Sequence, residues 1–489
     1  MLTLLRESSV PLRRLRPVSA RRGLRLTLAA LLLPAIGIVV LTQVESVRRP
    51  LAEDEATLAV AMHPVGSTHP TAHRAFHAAP TAAAVALARI GPTLLGGSEL
   101  ALRFAGLVAG ALALGATVRL GERLFATRVG VIAALVLLAV PEGRAMLGTQ
   151  LTVDCFFLLP MLVSLASIRN LARAKSSIVW AGVMAGIAVA VAGSAALWLP
   201  VLALIWLRRL RGLDWRSFAS VIGWTAMAAV VVIGAAIASV GRGAIAGETP
   251  LLSAAVPAEV SIAGLARGLL PILPLAILGA SHLPPTWSRS ESLRFIGWWV
   301  LVSGTSTFFT GSVVGPAIGV LFFVAALVAW AFDRAPRTLS WAGAAAVWIL
   351  FSVLPIGSPR GAALEPWAAR ETARFVKNVL PSERRVAAAE GAARRIAFYS
   401  QRDVASLGRE ADLEGIDYVV VDRATLRTLG GKPPSEERWL AVGGNSMRVI
   451  AEFGPWIVAR IERSEDSRPV LSRGPEGIAP GPLPTSMNH

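Results

Sequence analysis

Residues 98–120 read SELALRFAGLVAGALALGATVRL, and this stretch decides the fold. It is long enough and apolar enough to cross a bilayer as one helix. The basic turn GERLFATR (121–128) follows at once, as expected where such a helix leaves the membrane. The pattern recurs along the chain. Further spans are expected near 24–46, 129–146, 152–168, 177–193, 195–207, 216–240, 263–281, 293–310, 312–332 and 338–356, about eleven in all. Of 489 residues 54% are hydrophobic and only 16% charged, with mean hydropathy +0.59. A soluble domain of that length could not bury so much apolar surface, so the chain reads as a polytopic α-helical membrane protein.

The formal net charge of +17 is a matter of orientation. Residues 1–25 carry seven arginines, and GERLFATR, RNLARAK, RRLRGLDWR, SHLPPTWSRSESLR and DRAPR all carry Arg or Lys. The alternate connections AGSAA and TGSVVGP have none, and the one after Val240 has Arg242 alone. This asymmetry predicts an uncleaved first helix with the N-terminus inside and the C-terminus outside, and gives no reason to invoke nucleic acid. The single cysteine, Cys155, excludes an intrachain disulfide framework. Walker A, GxSxG and GxGxxG signatures are absent from the sequence, which argues against nucleotide-driven transport and soluble Rossmann chemistry.

After Pro355 the composition changes. EPWAARETARFVKNVLPSERR reads as an amphipathic helix, and RVAAAEG, IDYVVVD, MRVIAEF and WIVARIER read as short strands. The expected organisation is a membrane domain over 1–357 with a first outer loop at 47–97, a small extracytoplasmic α/β domain over 358–463, and a Pro-, Gly- and Ser-rich tail over 464–489 expected to be disordered.

The chemistry-bearing candidates gather on the outer side. Glu53, Asp54 and Glu55 stand side by side where the first span ends. Charge at a bundle mouth costs on the order of a few kcal/mol to desolvate, so such residues tend to mark functional pathways. A carboxylate there suits proton abstraction from an acceptor hydroxyl; the alternative is a solvated helix end. Asp154 opens another span, where its alternative role is helix capping, although Thr152 is the better capping residue. Arg103 and Arg144 lie near the same boundary and are suited either to hold phosphate or to snorkel. His69, His73 and His77 recur at i, i+4, i+8, a spacing compatible with metal ligation on a helix. Pro70 interrupts it, which favours interfacial histidines. TAAAVALARIGPTLLG, after FHAAP, reads as a short amphipathic or re-entrant helix at 81–92.

The ordered set AEDEATLAVA (52–61), the stretch from FHAAP to PEGRAML (76–147), with SELALRF and GERLFATRVG inside it, and LTVDCFFLLPML (151–162) resembles the GT-C glycosyltransferases. These include the protein O-mannosyltransferases, the lipid A aminoarabinose transferases and the RgtA/B/C/D-like membrane transferases. The detailed resemblance covers about the first 170 residues. It implies an inverting glycosyltransferase that takes a sugar from a polyprenyl-phosphate donor in the bilayer. Transfer would be to a lipid, glycan or protein acceptor on the periplasmic side of a bacterial inner membrane. It also implies Asp54 as base, Glu55, His77, Arg103, Arg144 and Asp154 as substrate-binding residues, and a divalent cation, if one is used, on Glu55 and Asp154. One departure stands out: Lys-Pro-Pro or His-Pro-Pro of many relatives is here His77-Ala78-Ala79-Pro80. Other readings are a glycolipid transporter or flippase, and a non-catalytic relative acting in envelope assembly.

Overall fold

The computed structural model describes residues 81–95, 99–171, 176–211, 215–240, 273–281, 290–310, 312–334, 364–407, 415–422, 439–442 and 445–462, with Glu55, Ala59 and Leu269 as isolated positions. The expected spans at 24–46 and 338–356, the tail, Asp54, His77 and the other histidines of the first outer loop lie outside them.

The apolar runs become helices. They are α1 (Ala82–Leu95), α2 (Glu99–Leu124), α3 (Thr127–Ala139), α4 (Pro141–Arg144), α5 (Val153–Arg169), α6 (Ser176–Ala192), α7 (Trp198–Arg211), α8 (Trp215–Val240), α9 (Leu273–Ser281), α10 (Glu291–Thr310) and α11 (Val314–Arg334). Among the described residues, four helical stretches are long and apolar enough to cross a membrane, within α2, the α6 region, α8 and α11. A fifth is added if the bent pair at 127–138 and 142–149 counts as one span.

That bend is where the structure departs from the straight span expected at 129–146. The two halves meet at 98°. Pro141 cannot donate an amide hydrogen bond, so the helix stops before it. The chain then passes through a π-helical turn, Ala145–Thr149, in which Gly148 has φ 89°. Gly148 lies on α2 so closely that a Cβ there would come within 2.2 Å of the Gly106 carbonyl carbon. Only glycine serves both demands.

Close helix approach recurs between α6 and α8. Gly182 and Gly186, four apart, lie against Trp224 and Thr225, in the small-residue geometry that lets membrane helices pack without a hydrophobic driving force. Bulk fills another part of the bundle: Trp206 of α7, Phe295 and Trp299 of α10 and Phe322 of α11 form a buried stack with successive centroid distances of 4.9, 6.5 and 5.8 Å.

The C-terminal unit is an α/β sandwich of helices on a mixed sheet. Its elements are α12 (Leu364–Asn378), β1 (Val386–Ala389), α13 (Glu390–Ser400), β2 (Val404–Leu407), β3 (Tyr418–Asp422), β4 (Trp439–Val442), β5 (Asn445–Phe453) and β6 (Trp456–Glu462). Strand order is β2-β1-β3-β6-β5-β4. β1 runs parallel to β2 and β3, and the remaining neighbours are antiparallel. Side chains alternate: Ala388, Val420 and Val458 pack beneath Ala369, Ala373 and Ile396 of the helices, while Ala387, Val419 and Ala459 face the other way and are also buried. The pieces read as strands from sequence correspond to β1, β3, β5 and β6. The two not foreseen, β2 and β4, are four residues each and form the sheet edges.

This unit docks at the end of the bundle where α2 begins. Arg370 of α12 pairs with Glu99 at 3.2 Å, and its guanidinium stacks against Trp367 and Tyr399, 5.8 Å from each ring. Phe398 and Tyr399 pack onto the core of the membrane domain.

Candidate active site

The site is organised by one buried ion pair. Arg103 sits one turn inside α2 from Glu99, and Glu55 belongs to the acidic run that closes the first expected span. Arg103 Nε donates to Glu55 Oε1 and Arg103 Nη2 to Glu55 Oε2, each at 2.7 Å. The Leu151 amide donates to Glu55 Oε1, also at 2.7 Å. Both side chains are 1% exposed. Charges this deep persist only when paired with near-ideal geometry, and the planar fork of arginine matches a carboxylate bidentately. Glu55 therefore ties together three segments far apart in sequence: the first outer loop, α2 and the strand-like entry to α5.

The bend supplies the surroundings. Gly148 touches Gly106, three residues along α2 from Arg103 and so on the same helix face. The irregular segment 140–152 begins beside Glu142 and Arg144 and ends at Asp154 in the first turn of α5. Arg144 and Asp154 are both partly buried, and neither side chain makes a hydrogen bond or ion pair among the described residues. Glu142, two residues from Arg144 and its electrostatic partner, has its Oε2 buried without a hydrogen-bond donor. Thr152 is the residue preceding α5 and makes no side-chain capping bond. A cationic and an anionic side chain without hydrogen-bonded partners among the described residues thus flank the segment anchored to Glu55, an arrangement able to receive a charged ligand.

Of the residues expected from sequence, Glu55 and Arg103 are in direct contact, and Arg144 and Asp154 bracket the segment that contacts them. Asp54 and His77 lie outside the described residues. Among the described residues no group of three or more His, Cys, Asp or Glu side chains gathers to hold a metal. Both Glu55 oxygens accept from N–H donors, so a cation on Glu55 would face the Arg103 guanidinium.

Sequence reasoning did not single out Leu151, Glu142 or Tyr399. Leu151 acts through its backbone, which no side-chain pattern reveals. Glu142 stands in the Pro141-Glu142-Gly143-Arg144 turn, where the helix-breaking pair was the available signal. Tyr399 comes from the C-terminal unit, 296 positions after Arg103, and interacts electrostatically with that guanidinium.

Comparison with known proteins bears on the fold. Residues 78–239 match the dolichyl-phosphate-mannose-protein mannosyltransferase family. The fold is similar to that of ArnT from Cupriavidus metallidurans in the apo state, with TM-score 0.60 and 15% identity over 91% of this chain and 98% of that one. ArnT from the same organism bound to undecaprenyl phosphate matches with TM-score 0.56, 15% identity and coverage of 90% and 98%. The oligosaccharyltransferase AglB from Archaeoglobus fulgidus, in complex with an inhibitory peptide and a dolichol-phosphate, matches with TM-score 0.50 and 12% identity over 81% of this chain and 69% of that one. No curated protein sequence matches. Residues 78–239 thus match a membrane mannosyltransferase family model, and the chain shares the fold of the ArnT and AglB structures.

Proposed function

We propose that this protein is an inverting glycosyltransferase that moves a sugar from a polyprenyl-phosphate donor to a lipid, glycan or protein acceptor on the periplasmic face of a bacterial inner membrane. The observation that carries the reading is the Glu55–Arg103–Leu151 tie, which holds the acidic end of the first outer loop against the segment bearing Arg144 and Asp154. The lipid phosphates in the ArnT and AglB structures supply the donor class by analogy.

In this reading Asp54, next in sequence to Glu55, removes the proton from the acceptor hydroxyl. The freed oxygen attacks the anomeric carbon from the face opposite the phosphate. The carbon–oxygen bond to phosphate breaks, and the polyprenyl phosphate leaves with the electron pair. A phosphate departs without a strong general acid, but its growing negative charge needs a cation held in place beforehand. Arg144, partly buried and without an anionic hydrogen-bond partner among the described residues, has that role, and His77 stands beside the donor. Asp154 orients the acceptor or, with residues of the first outer loop, holds a divalent cation that would add charge at the leaving oxygen. Glu55 and Arg103 position the base. Arg103 already spends its fork on Glu55, so it acts on the substrate through that contact.

The test uses membranes from a deletion strain and from strains carrying the wild type or Asp54→Asn. Lipid-linked sugars and envelope glycans are profiled by mass spectrometry. A polyprenyl-phosphate sugar should accumulate, and one glycan should lose a residue, in both the deletion and the Asp54→Asn strains. Profiles matching wild type, with the gene expressed, would sink the proposal. The Ala78-Ala79 departure favours one second reading, a non-catalytic member acting in envelope assembly. That reading predicts intact glycolipids but disturbed assembly of other envelope proteins after deletion.

A further inference from the structure

A second cluster of charge lies at the opposite end of the bundle. Asp154 opens α5 and Arg169 closes it, about 22 Å away along the helix axis. There Arg169 from the end of α5 and Arg209 from the last turn of α7 both stack on the indole of Trp206, with guanidinium carbons 5.7 and 5.9 Å from the ring. Trp206 is fully buried. Arg169 Nη2 also donates to Glu291 Oε2, at the start of α10, at 3.0 Å. Two connections rich in basic residues therefore meet on one ring, and the start of α10 joins them through Glu291.

Two donors in this cluster have no acceptor among the described residues. Arg169 Nε and Trp206 Nε1 are both buried and without hydrogen-bond partners. Buried donors left unpaired cost on the order of a few kcal/mol each, and two of them side by side call for an acceptor such as a bound ligand. The missing partner must be rich in acceptors and negative: Glu291, which is largely exposed, offsets only one of the two stacked cations. Arg209 is exposed and makes no ion pair among the described residues, which leaves its fork open toward the membrane boundary. Helix ends at that depth meet phospholipid headgroups, and basic pockets between membrane helices are a recurrent headgroup site.

We infer that Arg169, Arg209 and Trp206 form a binding site for the phosphodiester headgroup of an anionic phospholipid, separate from the candidate active site. The headgroup oxygens accept from Arg209 and from the Arg169 and Trp206 donors, and the acyl chains lie along the exposed apolar faces of α7 and α10.

The test is independent of any transfer activity. The purified full chain is placed in nanodiscs of phosphatidylcholine with or without phosphatidylglycerol, and bound lipid is counted by native mass spectrometry beside the thermal midpoint. Wild type should retain phosphatidylglycerol and melt higher in its presence. Arg209→Gln should bind it about fivefold more weakly and lose that increment, while melting like wild type in phosphatidylcholine alone. Arg169→Gln should do the same, and because it also breaks the Glu291 pair, Arg209→Gln is the decisive variant. Arg128→Gln, the same charge change at the start of α3, should leave binding intact. The inference is overturned if Arg128→Gln and Arg209→Gln lose binding equally, which would mean diffuse surface charge. It is also overturned if Arg209→Gln binds normally, or if inorganic phosphate alone reproduces the stabilisation.

Discussion

Replacing Arg103 by Gln tests the central feature of the site. The substitution removes both guanidinium hydrogen bonds from a carboxylate in a residue that is 1% exposed, while the Leu151 amide still donates to it. Removing one partner of a buried, hydrogen-bonded pair costs about 3–5 kcal/mol, because the other charge stays desolvated. For a chain of this size that is about 2 °C per kcal/mol, hence a fall of about 6–10 °C in the thermal midpoint. The companion Glu55→Gln removes the stranded charge, and its amide oxygen still accepts from Leu151. The doubly substituted chain, Glu55→Gln with Arg103→Gln, should therefore recover most of the loss and remain within about 1–2 kcal/mol of wild type. The assay is fluorescence-detected size exclusion of detergent-solubilised protein after heating, run on all four members of the cycle. A coupling of at least about 2 kcal/mol between the two positions is the expected result. Arg103→Gln melting like wild type would refute the reasoning, since the pair would then be solvated and could not anchor the outer loop.

Two further outcomes follow from the geometry. Gly148→Ala forces a side chain into φ 89° and onto the Gly106 backbone at 2.2 Å, so it should destabilise the chain by about 2–4 kcal/mol and lower its yield of folded protein in membranes. Arg370→Ala removes the pair with Glu99 and two ring contacts at the domain junction, a loss of about 1–2 kcal/mol. Amide exchange in α13 should quicken while that in α5 is unchanged; equal exchange in both would show that Arg370 does not hold the C-terminal unit to the bundle.

The reach of the sequence is clearest where periodicity carried the argument. A run such as 98–120 has no way to satisfy its backbone in lipid except as a helix, so its element is settled locally. Val419, Val420 and Val421 likewise alternate between two buried faces, and the strand was legible. The edge strands were not: VASL and WLAV are too short for any period, and they become strands because β1 and β5 offer them backbone partners. The bend in the third expected span was signalled by Pro141 but not fixed by it, since proline is tolerated within membrane helices when neighbours repair the ladder. Pro160 does sit inside α5 without ending it.

The site divides the same way. The sequence by itself determined which charges stand at the ends of apolar runs, and so which residues must find partners or solvent. It could not choose the partners. Glu55 meets Arg103 at a separation of 48 residues and the Leu151 amide at 96, because Gly106 and Gly148 let two backbones approach until those groups are within 2.7 Å. Desolvation makes such a pair obligatory once buried, but only the packing of the helices decides what is buried.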